Sequence, residues 1–299
     1  MPKQYYTTGI VILSAVVFVI LERLFPYKKD EKVFRDGFFI DLIFYTIVQS
    51  YVLGLLIFGS LNYLYANFNL SHYRLLDGAP VWMQLLFFFV VHDFYIYWFH
   101  RWQHHNKYLW RVHEAHHSPR SVDWLSGSRS HSLEIIINQT IEFGPIILLG
   151  AAPEVALYKG LIDAVWGMFI HSNLDVRLRW LQYFINGPEM HRWHHSDDEG
   201  QEYKNNYSTK LAIWDWIFGT AFYPDPGIRK PDKYGLSDTP EYPIFYNKRI
   251  SEVKEKLKGT GIISYGIIYF IKLVYLNTIE YIMQHLFIFR SFKAGDRIG

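Results

Sequence analysis

The sequence predicts an all-α fold: an integral membrane helical bundle of about four spanning helices or hairpins, topped by a cytosolic helical cap that holds a dinuclear metal site. Three observations carry this reading. Long apolar runs alternate with short basic loops. Twelve of the fourteen histidines fall within residues 92–195, in clusters that follow apolar runs. The chain has no cysteine, which excludes disulfides, thiolate zinc sites, iron–sulfur ligation and thiolate-bound haem, so any metal is held by nitrogen and oxygen. Charged residues make up 19% of the 299, below the roughly 25% of soluble domains, and half the chain is hydrophobic. The 10 Trp, 23 Tyr and 23 Phe suit a membrane interface, and a net charge of +2 gives no reason to expect a nucleic-acid partner.

Taken in order, residues 8–21 form a first apolar run, closed by Glu22 and Arg23; no small-residue cleavage site follows, so it reads as an anchor and not a cleaved signal. Residues 38–64 carry one charge, Asp41, and exceed the roughly 20 residues of a span. The third run starts near Val81 and leads directly into His100. Residues 133–149 and 155–170, split by Gly150 and Pro153, read as a hairpin of spanning or re-entrant helices, because Glu134, Asn138, Glu142 and Asp163 interrupt them. Residues 261–289, interrupted by Lys272, Glu280 and His285, suit either a span or a tilted interfacial helix, and 224–245 reads as an exposed loop. Arg23, Lys28, Lys29, Lys32 and Arg35 follow the first run, only Arg74 follows the second, and Arg101, Lys107, Arg111, Arg120 and Arg129 follow the third. This pattern places the amino terminus outside and His100 onward in the cytoplasm. The expected organisation is anchor helices over 1–80, a histidine-box domain over 81–222 and a carboxy-terminal loop and helix over 223–299.

The histidine clusters are His100-Arg-Trp-Gln-His104, His113-Glu-Ala-His116-His117 and His191-Arg-Trp-His194-His195. Residues three and four apart share one helical face, so each cluster can aim two or three imidazoles at one point. Two neighbouring ions can absorb eight such ligands; one cannot. Asp93, Tyr97, His100 and His104 lie on one stripe, which places Asp93 to orient a ligand. His105 lies about 100° from His104 and His92 falls off the stripe. His171 returns to the same membrane level and joins the ligand set; His131 is a ligand, an orienting residue or a substrate contact; His72 and His285 are peripheral. Nitrogen-only donors suit iron, copper, nickel or zinc. The His-Glu-x-x-His pattern of zinc hydrolases is absent, since Glu114 sits in His-Glu-Ala-His. A metal at the membrane edge, where a lipid tail meets cytosolic electrons, fits C–H oxidation, chemistry that side chains alone cannot perform.

The boxes, together with Trp110-Arg111-Val112 before the second, Asn206-Tyr207-Ser208 and the run from Ile213 to Thr220, resemble the fatty acid hydroxylase/sterol desaturase superfamily over about residues 85–222. The resemblance implies two non-haem iron ions and dioxygen as co-substrate. It also implies hydroxylation or desaturation of a lipid such as a fatty acyl chain or sterol, and an external electron donor, a small cytochrome or a ferredoxin with its reductase. By position, the ligands are His100, His104, His113, His116, His117, His191, His194 and His195, with His171 as the additional histidine between boxes. Members with four intervening residues in the first box would use His105 in place of His104. His131-Ser-Leu-Glu134 is similar to a His-Pro-x-Glu element of sterol-processing members but lacks the proline. Tyr97, Trp98, Phe99, Trp102 and Trp110 are candidate walls of a lipid channel. The setting is a bacterial inner membrane or an endoplasmic reticulum. An ether-lipid monooxygenase shares the same boxes, and a non-oxidative metal hydrolase or transporter is the reading from another class.

Overall fold

A computed structural model describes residues 3–68, 75, 76, 78–198, 203–224, 231–236, 262–286 and 288. Its regular elements among these residues are helical: α1 (Lys3–Leu24), α2 (Ser50–Asn67), α3 (Val81–His105), α4 (Lys107–His117), α5 (Ser132–Leu148), α6 (Pro153–His171), α7 (Pro188–His194), α8 (Ile213–Ile217) and α9 (Ile262–Leu286). A wide-turn helix, Ile40–Gln49, leads directly into α2. Among the described residues, three helical stretches are long and apolar enough to cross a membrane: Tyr5–Leu24, Ile40–Asn67 and Val81–His105. Their outward faces are apolar, as lipid requires, with Ile12, Leu13, Leu55, Leu56 and Leu86 all exposed.

The expected fourth membrane element is the hairpin of α5 and α6. Pro145 lies inside α5, and Gly150, at φ 68, turns the chain where a side chain would be strained. Pro153 opens α6 in the first helical turn, where its missing N–H costs nothing. α1 packs on α6, α2 on α5, and α3 on α4, α5 and α6. Phe88, Phe143, Ile146 and Val155 fill the space among α3, α5 and α6.

Polar ties hold the membrane end of the bundle against the cap. Glu22, closing α1, accepts from the backbone N–H of Trp124 at 2.8 Å and of Asn173 at 2.8 Å. Asp41, fully buried, pairs with Arg35 at 2.8 Å and Arg129 at 2.6 Å, while Arg35 also grips Asp123 through two 2.8 Å bonds. The cap itself is built from α4, α7, α8 and their connections around the carboxy-terminal end of α3. α9 lies against Ile40–Gln49, where Tyr281 donates to Gln49 at 2.6 Å. His72, most of 224–245 and the basic tail fall outside the described residues.

Candidate metal centre

Local sequence turns each box inward. α3 carries His100 and His104 on the face that meets the cap. Asn106 then breaks the helix and caps α4, accepting from the N–H of Tyr108 at 2.9 Å and Leu109 at 3.2 Å. α4 therefore doubles back beside α3 and brings His113, His116 and His117 against it. α7 supplies His191 and His194, with His195 at its end, and α6 ends on His171.

These imidazoles form two groups. His100, His104, His113, His117 and His194 place ring nitrogens within 4.8 Å of one another, as do His116, His171, His191 and His195. The second and third boxes are each divided between the groups. Each box thus aims two imidazoles at one centre, as the spacing predicts, and the second and third boxes send their remaining ring to the other: at i, i+3 and i+4 the rings fan out enough to serve two neighbouring centres.

Ring orientation is set from outside. The Nδ1–H of His100 donates to Tyr207 O at 2.7 Å, that of His116 to Arg129 O at 3.0 Å, that of His171 to Gly167 O at 2.9 Å and that of His194 to Asn205 O at 2.8 Å. His113 Nδ1 donates to Glu134 at 2.8 Å. With the proton on Nδ1, each Nε2 presents a bare lone pair. Yet His100 Nε2 faces His113 Nε2 at 3.0 Å, and His116 Nε2 faces His171 Nε2 at 3.2 Å. Two lone pairs at that distance repel unless a cation lies between them. His104 Nε2 and His194 Nε2 are also buried without a hydrogen-bond partner. The donor set therefore fits a metal ion in each group.

The closing motif explains why those carbonyls stand where they do. Asn206 adopts a left-handed backbone at φ 58 and binds Met190 O at 2.9 Å, Phe222 O at 2.8 Å and Phe222 N at 2.7 Å. Asp215 accepts from the N–H of Tyr207 at 2.8 Å and of Ser208 at 3.0 Å. Together they fold the 205–220 segment so that the carbonyls of Asn205 and Tyr207 reach the rings of His194 and His100. Gly127 gives His171 its room: a Cβ there would lie 2.7 Å from the ring's Cγ.

Two sequence assignments change. Asp93 orients no imidazole; it accepts from Lys210 N at 3.2 Å, Leu211 N at 3.0 Å and Trp214 Nε1 at 2.9 Å, fixing the segment after the third box. It stands seven residues before His100, roughly 10 Å along the helix, too far to touch that ring. His131 stands outside both groups. Its Nδ1 caps α5 by accepting from Leu133 N at 3.1 Å, and its Nε2 donates to His285 O at 3.2 Å. Glu134, one helical turn on, takes the orienting role on His113 and also accepts from Gln103 at 3.0 Å. The signal available in the sequence was the acidic residue in the first turn of α5, opposite the second box. His105 turns away, with Nδ1 on Arg101 O at 2.7 Å, while His104 is buried in the first group. Of the proposed channel walls only Phe99 lines the adjoining cavity. Trp98 and Trp102 are exposed on the opposite face of α3, Tyr97 bonds Thr220 at 2.9 Å, and Trp110 packs against His104 and His117.

Glu134→Gln keeps the shape and removes the charge; it is expected to weaken metal retention by roughly 10- to 100-fold, read by chelator competition. Acid is expected to act through the boxes as well. Burial, followed by the neighbouring charge of His113, pushes the His116 imidazole down to about 4 from 6.5. Burial likewise holds His117, His191, His194 and His195 well below the ordinary histidine value. The folded chain keeps these rings neutral while the unfolded chain takes up protons below about 6.5. Stability of the metal-free protein is therefore present above pH 6.5 and falls as pH drops towards 4, which thermal unfolding across that window would measure.

The fold and this centre define a histidine-box membrane metalloprotein: a helical bundle whose cap buries nine convergent imidazoles beside a cavity. Residues 85–220 match the fatty acid hydroxylase family. The chain is 32% identical over 226 residues to ornithine lipid hydroxylase OlsE of Rhizobium tropici, covering 72% of this chain and 67% of that protein. It is 33% identical over 163 residues to alkylglycerol monooxygenase of Danio rerio, covering 54% of this chain and 35% of that protein. It is also 30% identical over 151 residues to methylsterol monooxygenase 1-3 of Arabidopsis thaliana, with 49% of each covered. No solved structure matches. The chain belongs to the fatty acid hydroxylase/sterol desaturase superfamily.

Proposed function

We propose that this chain is a membrane-bound non-haem diiron oxidoreductase that uses dioxygen to hydroxylate a lipid. The single observation that carries the reading is the convergence of nine imidazoles in two adjoining groups, with lone pairs facing one another in each. Three relatives named as a hydroxylase or monooxygenases support the reaction class. His100, His104, His113, His117 and His194 would hold one iron, and His116, His171, His191 and His195 the other. Two bound irons supply dioxygen activation and the oxidant for a C–H bond.

The chain's own residues do the rest. The carbonyls of Arg129, Gly167, Asn205 and Tyr207, with the Glu134 carboxylate, hold five of the nine rings (His116, His171, His194, His100 and His113) in the tautomer that binds metal. A cavity of about 250 Å³ opens onto His100, His113, His116, His171 and His191, and Ile96, Phe99 and Ile170 give it apolar walls. Such walls exclude water and admit an alkyl segment. Electrons come from a separate donor, and the basic loops after the first and third spans support a cytoplasmic position for the centre. Hydroxylation is favoured over desaturation because the relatives are named as a hydroxylase or monooxygenases.

The test is lipid mass spectrometry of cells with and without the active gene, grown with and without oxygen. A lipid heavier by one oxygen, formed only in air, is expected; loss of two hydrogens would mark a desaturase. Metal-dependent turnover that persists under strict anaerobiosis would overturn the oxidase reading in favour of a hydrolase.

A further inference from the structure

The end of the cavity remote from the metal centre is polar, and it is built with a regular spacing. His92 and His100 on α3, Glu134 and Glu142 on α5, and Asp163 and His171 on α6 are each eight residues apart. On three packed helices, His100, Glu134 and His171 are thus each matched by a polar residue roughly 12 Å away along the axis. His92, Glu142, Asp163, Asn138, Thr209 and Lys210 line that remote end.

His92, Glu142 and Asp163 have the composition of a metal-ligand trio, but an internal cation already serves them. Lys159 Nζ, fully buried, donates to His92 Nδ1 at 2.8 Å, Glu142 at 2.8 Å and Asp163 at 2.6 Å. Lys210 adds a second ammonium, 3.0 Å from Asp163. Ionisable groups buried this far along a membrane helix are costly, and they are kept where a pathway or a ligand needs them.

Two donors are left over. An ammonium can only donate, so His92 Nδ1 accepts and the ring proton sits on Nε2. That N–H is buried without a hydrogen-bond partner, with Glu142 Oε2 out of reach at 3.9 Å. The indole N–H of Trp166, on the wall of the same cavity, is also buried and unpartnered. A buried donor left open beside a cavity calls for an acceptor that enters that cavity. What completes the site is an acceptor oxygen. Asp163 and Glu142 already line that end, and the Lys159 and Lys210 ammonium groups are engaged by them, so no cation is left to receive a carboxylate and the oxygen is a neutral one.

We propose that this remote end recognises a neutral oxygen of the lipid, a hydroxyl or the carbonyl of an ester or amide, and thereby selects a carbon roughly 12 Å away along the chain for presentation to the metal centre. The proposal rests on the hydroxylase reading and adds the substrate class to it. A polar group and an oxidised carbon separated by a medium-length alkyl segment follow from the geometry.

The test is equilibrium binding of radiolabelled dodecan-1-ol, methyl dodecanoate and dodecanoate to the full iron-loaded chain in nanodiscs. The alcohol and the ester are expected to bind and the carboxylate to bind far more weakly. Trp166→Phe, which keeps a ring and deletes the N–H, is expected to weaken the alcohol and the ester by roughly five- to tenfold with iron content unchanged. His92→Phe should do the same; where it does not fold, Trp166→Phe decides alone. Unchanged affinity in the Trp166 variant, or equal binding of dodecanoate by the parent, overturns the proposal. Oxygen consumption on the same preparations separates the two readings. Donor-dependent binding without oxygen uptake keeps the recognition site and removes the hydroxylase, whereas lipid oxidation with unchanged affinity does the reverse.

Discussion

Replacing His113 with alanine is expected to lower iron from two to about one per chain and to bring lipid oxidation below detection, while the protein still inserts. His113 is the hub of the first group: its Nε2 faces His100 at 3.0 Å and His117 at 3.2 Å, and its Nδ1 is held by Glu134. Its loss removes a ligand and also leaves the Glu134 carboxylate buried beside an empty space, so external imidazole should restore only part of the metal. Elemental analysis of purified protein reads the outcome. A variant that keeps two irons would show that His113 is no ligand.

Asp41→Ala is expected to be the most destabilising single change among the polar residues, at about 3–5 kcal/mol. Asp41 is fully buried and balances Arg35 and Arg129, and its removal strands guanidinium charge in a low-dielectric setting. The damage should reach the metal centre, because the Arg129 carbonyl holds the His116 ring at 3.0 Å. Unfolding in mixed micelles would report the stability loss, and iron retention would report the coupling. If unfolding is unchanged, the Arg–Asp–Arg network is not what ties Ile40–Gln49 to the cap.

The histidines were legible because their spacing is local: i, i+3 and i+4 on one helix are neighbours whatever the rest of the chain does. The preference for His104 over His105 follows from the same angular argument, and the burial of one and outward turn of the other agree with it. The roles of Asp93 and His131 differ from the expectation because they depend on what the tertiary fold sets beside them. A stripe on α3 tells which residues share a face, not how far along the axis their partners lie. His131 sits where an extended backbone enters α5, so its ring serves the helix end and leaves the centre to Glu134. Nothing local marks Lys159, since a lone lysine in an apolar run gives no sign that three acceptors from three helices will surround it.

The sequence alone determined the class of fold, three segments that can cross a membrane and the absence of thiolate from any metal site, because hydropathy, cysteine content and helical periodicity are properties of short stretches. Only the tertiary structure decided how the boxes divide between two groups, which carbonyls fix their tautomers and that a polar layer faces the centre across the cavity. Those depend on the angles at which α3 to α7 cross and on how loops such as 205–220 close. Such angles are set by many packed contacts acting together, and no local pattern records them.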